Sequence, residues 1–403
     1  MDPAMNDDHD AAFDSSTSWL VAALGLLVLV LVWGLVFTFT VYAQALGDAF
    51  GLSGLRVSSI FSITTATFYV AGGTIGILIA RVPLRPVVAA AGVVLLSAVG
   101  LLQVVTSYLG LAVVFGLVGV ASGTMFVIVI SLVPQWFERY EGRAMGITMT
   151  GNGLGILVFP PIWVWLLDRT GFDETFAVIA GATALATLAA SAVYRRPPGL
   201  RAGGTAPVDV SWLRSRITDA SFGGALVGFS ALWSWYFVLS SDFVGILTAG
   251  GIARGVAATA FGIVGGVSVA ARVASGEFAD RIGMRVTLAT GVVLAAVGTV
   301  ALPWTETRLA MYALLVVFGI GLGAIAPLYS PIVIGRFGPE NATAIVGAFT
   351  VAQAATAFLV PIGLNLLREA TNGYVVPLVA VGGLTFLGAG LFYRGTAPAD
   401  ESS

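Results

Sequence analysis

One arginine sits where an apolar chain can least easily hold a charge. Arg272 opens the segment Arg272–Arg285, RVASGEFADRIGMR, and lies inside the apolar run that precedes it. It is eight residues before Asp280, which on a helix rising 1.5 Å per residue sets it about 12 Å deeper. An arginine at the centre of a membrane helix costs about 2.5–3.5 kcal/mol on insertion scales, so it faces a polar cavity or a partner. Its planar fork grips a carboxylate through two parallel hydrogen bonds. One reading is therefore a binding site for a substrate anion. The other is that Arg272 snorkels to the interface and joins a latch formed by the polar turn after it. The first reading is carried forward.

Other polar side chains could complete such a site. Tyr42 and Gln44 on the first apolar run, Asn152 on the fifth and Gln353 on the eleventh are neutral hydrogen-bonding groups. Each alone is better explained as a hydrogen bond between membrane helices. Phe126 and Tyr329 are candidate aromatic walls, set against ordinary packing or lipid contact. Asp242, on the seventh run, is the acid nearest a span outside an obvious cytoplasmic loop. It could titrate during transport, but the plainer reading is a solvated interfacial carboxylate.

Enzyme chemistry finds no footing. The chain has no cysteine, and its single histidine, His9, lies in the N-terminal tail. No thiolate metal site and no Ser/His pair within the membrane can be built. The glycine strings Gly151-x-Gly153-x-Gly155 and Gly319-x-Gly321-x-Gly323 lie inside apolar runs, so they are not phosphate loops. They predict close helix packing, and their mirrored placement suggests moving interfaces. Pro160, Pro161, Pro327, Pro331 and Pro361 predict local bends or breaks. No cofactor and no metal is expected.

The elements that must position these groups are read from composition. Of 403 residues, 58% are hydrophobic and only 10% charged, against about 25% charged in a soluble domain. Twelve apolar runs are long enough to span a bilayer, at about 19–44, 56–79, 86–106, 108–133, 144–167, 173–194, 217–241, 255–279, 286–304, 308–334, 342–367 and 373–393. The expected architecture is all-α, with twelve transmembrane helices in two pseudo-symmetric six-helix bundles. Residues 1–18 are an acidic, disordered tail without the basic start of a signal peptide, so the first helix is retained. Residues 19–194 form the first bundle, 195–216 a Pro/Gly/Arg-rich cytoplasmic linker, 217–394 the second bundle and 395–403 a tail.

If both termini are cytoplasmic, thirteen arginines fall in inside segments and five outside, which supports that orientation and a cell-membrane location. The net charge of −2 excludes a general attraction to nucleic acid. An internal repeat is visible too. Gly76, Arg81 and Arg85 lie 200 positions before Gly276, Arg281 and Arg285, and Phe137 lies 200 before Phe337. Parallel repeats of this kind build transporters whose substrate sits between the halves.

On these residues the chain resembles the major facilitator superfamily. Gly276, Asp280, Arg281, Gly283 and Arg285 fit the family's G-x-L-x-D-R-x-G-R signature, with Phe278 at the Leu position. The first copy is degraded, with Ala80 in place of Asp and Pro83-Leu84 near the family's Gly. The resemblance implies that these loops latch the cytoplasmic side, and that the first latch is weaker or differently made. The chain is similar, more narrowly, to the branch of monocarboxylate transporters and the oxalate/formate antiporter. The similarity rests on Arg272 with Gly276 and Asp280-Arg281, on GLVFTFTVYA from Gly34 to Ala43, and on Trp136-Phe137, Gly142–Gly146 and Gly151–Gly155. It implies that Arg272 binds a substrate carboxylate. Gln353 stands where the oxalate exchanger has a second cation, which makes a dicarboxylate less suitable. Ser268 stands where the animal carriers have an Asp, and there is no lysine for their proton coupling.

The expectation is a secondary transporter of a small organic anion, most simply a monocarboxylate, working by alternating access. Its partners would be the lipid bilayer, the substrate and a coupling proton or counter-anion. The rivals are a drug or hydrophobic-compound exporter, which usually shows a Gly-Pro-rich fifth span that Gly151–Pro161 lacks, and a non-transporting membrane sensor. A membrane enzyme is the most distant.

Overall fold

In lipid, a helix satisfies its own backbone hydrogen bonds, so apolar runs of this length have one economical form. The computed structural model describes residues 13–79, 83–197, 210–338 and 341–397. Among these residues there are twelve helices long and apolar enough to cross a membrane, and no strand. Span one is Ser16–Val36 continued by Phe39–Phe50, span two Gly54–Leu78, span three Leu84–Leu102 and span four Tyr108–Trp136. Span five is Glu141–Thr170 and span six Phe172–Val193. Span seven is Ala220–Leu232 continued by Ser234–Ala249, and span eight is Arg254–Ala260 continued by Gly262–Ile282. Spans nine to twelve are Met284–Trp304, Arg308–Phe337, Ala342–Thr371 and Val375–Gly395.

The two halves repeat one packing scheme. Span two packs on four, three on six, and one on five and six; likewise eight packs on ten, nine on twelve, and seven on eleven and twelve. Spans two and eleven, five and eight, and one and seven join the bundles. The offset of 200 residues reappears as matching contacts. Arg85 Nη2 donates to the Ala192 carbonyl (3.1 Å), and Arg285 Nη2 to the Tyr393 carbonyl (2.6 Å). Trp136 Nε1 donates to the Arg195 carbonyl (3.0 Å), and Arg336 Nε to that of Ala397 (2.7 Å). Phe137 meets Trp19 edge-on at 5.0 Å, and Phe337 meets Phe222 at 4.9 Å.

The breaks in spans one, seven and eight do not fall at prolines. Helix runs through Pro160, Pro161, Pro327, Pro331 and Pro361 in spans of 30 residues each, which corrects the expectation of breaks there. Span one breaks at Phe37–Thr38 because side chains take its carbonyls. Thr38 Oγ1 (2.6 Å) and Trp163 Nε1 (2.9 Å) both donate to the Gly34 carbonyl, and the Tyr42 hydroxyl donates to that of Leu35 (2.9 Å). Donors inserted into the i→i−4 ladder are a recognised cause of helix interruption. Trp163→Phe should therefore lower stability by about 1–2 kcal/mol, read as a lower thermal unfolding midpoint in detergent.

Three further expectations change. The motif Gly276–Ile282 is not a turn but the last two turns of span eight, which ends only at Gly283 (φ 91°). Part of the linker, Val210–Ile217, is helical. Asp14 is docked: its carboxylate accepts from the backbone of Arg139 (3.0 Å) and Tyr140 (3.4 Å), and Ser15 caps span one. Residues 1–12, 198–209 and 398–403, and with them most of the tails and the linker, lie outside the described residues, as does Arg81.

Candidate functional site

Arg272 comes from the second piece of span eight, ten residues before its end. It points across the bundle junction and not at lipid: Nη1 donates 2.8 Å to the Met149 carbonyl on span five. The crossing is close because Gly153 faces Gly265 there. A Cβ on Gly153 would lie 2.8 Å from the Gly265 carbonyl and 2.9 Å from Ser268 Oγ. Arg272 Nε is buried with no hydrogen-bond partner, and no ion pair among the described residues includes this arginine. A guanidinium with one backbone bond retains donors for an anion.

The surroundings are aromatic with isolated polar atoms. Tyr236 on span seven is buried beside Arg272, close enough to interact with it electrostatically. Its hydroxyl has no partner in good geometry, although Trp33 and Ser240 adjoin it. The Tyr236 ring meets Phe37 of span one at 5.5 Å. From there the wall continues through Trp33, Phe68 and Phe126, with Phe126 at 4.9 Å from Trp33 and 5.7 Å from Phe68. Phe126 thus stands in the aromatic wall as anticipated. Tyr329 stacks on Phe229 at 4.5 Å, and Tyr69 senses both Tyr236 and Tyr329 electrostatically.

Asn152 is buried three residues beyond Met149, so within one turn of the Arg272 contact, and its Oδ1 has no partner. Gln353 is buried on span eleven, next to Ala352, whose carbonyl accepts from Ser230 (2.7 Å). Tyr42 is placed differently. Its hydroxyl is spent on Leu35 and its ring lies on Trp163 at 4.2 Å within the first bundle, so it packs and does not line the junction. Tyr236, Trp233 and Trp235 were not singled out from sequence. Their indole and phenol groups are buried without partners, and the cluster WSWY at 233–236 in an apolar run was the available signal.

The residues of the gate motif do not bridge the bundles. Arg281 pairs with Glu277 on its own helix (2.6 Å), and both are largely exposed. Asp280 and Gly276 are exposed, and Arg285 ties spans nine and twelve of one bundle. Arg85 does the same for spans three and six, and Gly76 packs on Val127 of span four. The expected latch is therefore a set of ties within each bundle. The span-ten glycines likewise pack inside the second bundle, Gly319 and Gly323 on span eight and Gly321 on span nine. On span five, Gly151 and Gly155 pack on span one, and Gly153 meets the other bundle.

Residues 18–361 match the family model of the Major Facilitator Superfamily. The chain belongs to that superfamily. Like the fold and the relatives, this makes it a membrane transporter and not an enzyme. It is 25% identical to monocarboxylate transporter 13 of Bos taurus over 388 residues, covering 94% of this chain and 89% of that protein. It is also 25% identical to the oxalate:formate antiporter of Oxalobacter formigenes, over 158 residues, covering 39% of this chain and 38% of that protein. A crystal structure of a peptide transporter, POT, superposes with a TM-score of 0.77 at 13% identity, over 96% of both chains. At that identity the likeness concerns the fold of this superfamily member alone.

Proposed function

We propose that this transporter moves a small organic anion, most simply a monocarboxylate, across the cell membrane by alternating access. Arg272 holds the carboxylate, with Tyr236, Asn152 and Gln353 as neutral hydrogen-bonding groups and Phe126 and Tyr329 as apolar walls. The observation that carries the reading is the Arg272 guanidinium at the junction of spans five and eight, bonded to one carbonyl and to no acid. The names of the relatives, a monocarboxylate transporter and an oxalate:formate antiporter, lie in the same direction. A single deep cation suits one carboxylate. The arginine bias places both termini in the cytoplasm.

The anion cancels a charge that the empty junction must otherwise carry, so the loaded protein closes and crosses more readily than the empty one. That favours exchange over net flux. Purified protein in liposomes should take up labelled monocarboxylates, faster with a monocarboxylate inside, and dicarboxylates weakly. Uptake of organic cations indifferent to carboxylates would instead make it an exporter of hydrophobic compounds.

A further inference from the structure

Far from Arg272, a second charged group is held in an unusual place. Asp242 is 9% exposed, the one acid among the described residues that is buried. This corrects the reading of a solvated interfacial carboxylate. It sits on the second piece of span seven, accepting from Ser241 Oγ (2.5 Å) and from Asn365 Nδ2 of span eleven (3.0 Å). The same amide donates to Ser58 Oγ on span two (2.7 Å). The chain of bonds thus crosses from the second bundle to the first. Beside it, Thr40 Oγ1 of span one accepts from the Val244 backbone (2.8 Å), a second tie between the bundles.

These ties close the end of the molecule opposite the termini. A cavity of about 440 Å³ opens there, lined by Gln44, Asp48, Asp242, Arg368 and Tyr374 among others. The charged and titratable groups facing Asp242 are Asp48 from span one, Arg368 from span eleven and Tyr374 at the head of span twelve. Span two presents only Gly54, Val57 and Ser58 to the cavity. No cation lies within ion-pair distance of Asp242 among the described residues.

We infer that Asp242 is a proton-binding pin of the outer gate, its proton taken from water in this cavity. "Outer" rests on the orientation proposed above. A neutral acid leaves water at far lower cost than a carboxylate. The closed gate keeps Asp242 dry, and opening spans two and eleven would hydrate it. Protonation therefore favours the closed gate, and ionisation favours opening. Asn365 can bond the carbonyl oxygen of the neutral acid, so the bridge to Ser58 survives protonation. The site is separate from Arg272, so proton and anion bind at different depths.

The chain has no cysteine, so a single reporter thiol is read without background. Ser62→Cys places it on span two, one turn deeper than Ser58, at a fully buried position. Thr65→Cys, near the Ala357 carbonyl of span eleven, is the second reporter. Protein oriented in vesicles is labelled from outside with an impermeant thiol reagent, without substrate, from about pH 5 to about pH 8. Each rate is divided by that of the same reporter carrying Asp242→Asn, which cancels the ionisation of the thiol itself. The ratio should rise with pH by about tenfold in all, within the limit set by one linked proton. Asn365→Ala, which removes the bridge, should speed labelling at every pH. A ratio that is flat or falls with pH, or no effect of Asn365→Ala, overturns the proposal. Because no substrate is added, this outcome is independent of whether Arg272 binds a carboxylate.

Discussion

Arg272→Ala should reduce carboxylate uptake by about 100-fold or more while leaving the protein folded. Each hydrogen bond to a charged group contributes about 1.5–3 kcal/mol. Losing a two-pronged grip therefore removes about 3 kcal/mol or more, and every 1.4 kcal/mol is tenfold. The fold should tolerate the change, because Arg272 makes one hydrogen bond from its side chain, to the Met149 carbonyl, and its Nε has no partner. Removing a buried charge without an acid partner relieves a desolvation cost. Arg272→Lys should recover part of the uptake, since a point charge remains but the fork is lost. Uptake into liposomes gives the first readout and the thermal unfolding midpoint the second. Full uptake by Arg272→Ala would remove this residue from the mechanism.

Gly123→Ala should be among the most destabilising single methyl additions in the chain. Spans two and four touch backbone to backbone at this point. A Cβ at Gly123 would overlap the Phe68 carbonyl, and one at Gly119 would overlap that of Thr64. No side-chain rotation relieves a clash with backbone, so the helices must separate. Overpacking of this kind costs about 1–3 kcal/mol or more. The control is Gly276, a motif residue whose added Cβ would meet nothing within 4 Å. Gly276→Ala should leave stability unchanged or raise it by up to about 1 kcal/mol, as expected in a helix interior. Thermal midpoints of the two variants in one detergent decide the matter, and equal midpoints would count against the close contact.

The spans were legible because a long apolar run needs no partner to declare itself. The duplication was legible as well, since Arg85 and Arg285 hold equivalent carbonyls in the two halves. What escaped depends on partners distant in sequence. The break at Thr38 needs the indole of Trp163, and burial of Asp242 needs the amide of Asn365. Tyr42 carries the right chemistry for a binding site, but its hydroxyl finds an acceptor on its own span. Tyr236 was missed because a tyrosine among tryptophans in an apolar run reads as packing until its hydroxyl is seen without a partner. Arg272 was legible because a guanidinium in such a run demands an explanation wherever it points.

The arginine straps end on main-chain oxygens, Arg85 on residue 192 and Arg285 on residue 393. Every amino acid carries that oxygen, so the receiving position can drift in identity without releasing the strap. Substitution scanning should therefore find sensitivity at Arg85 with indifference at Ala192. Arg285 adds a second hold, its guanidinium lying 4.1 Å over the Tyr393 ring. There the indifference should extend to aromatic replacements only, a small asymmetry between two otherwise duplicated clasps.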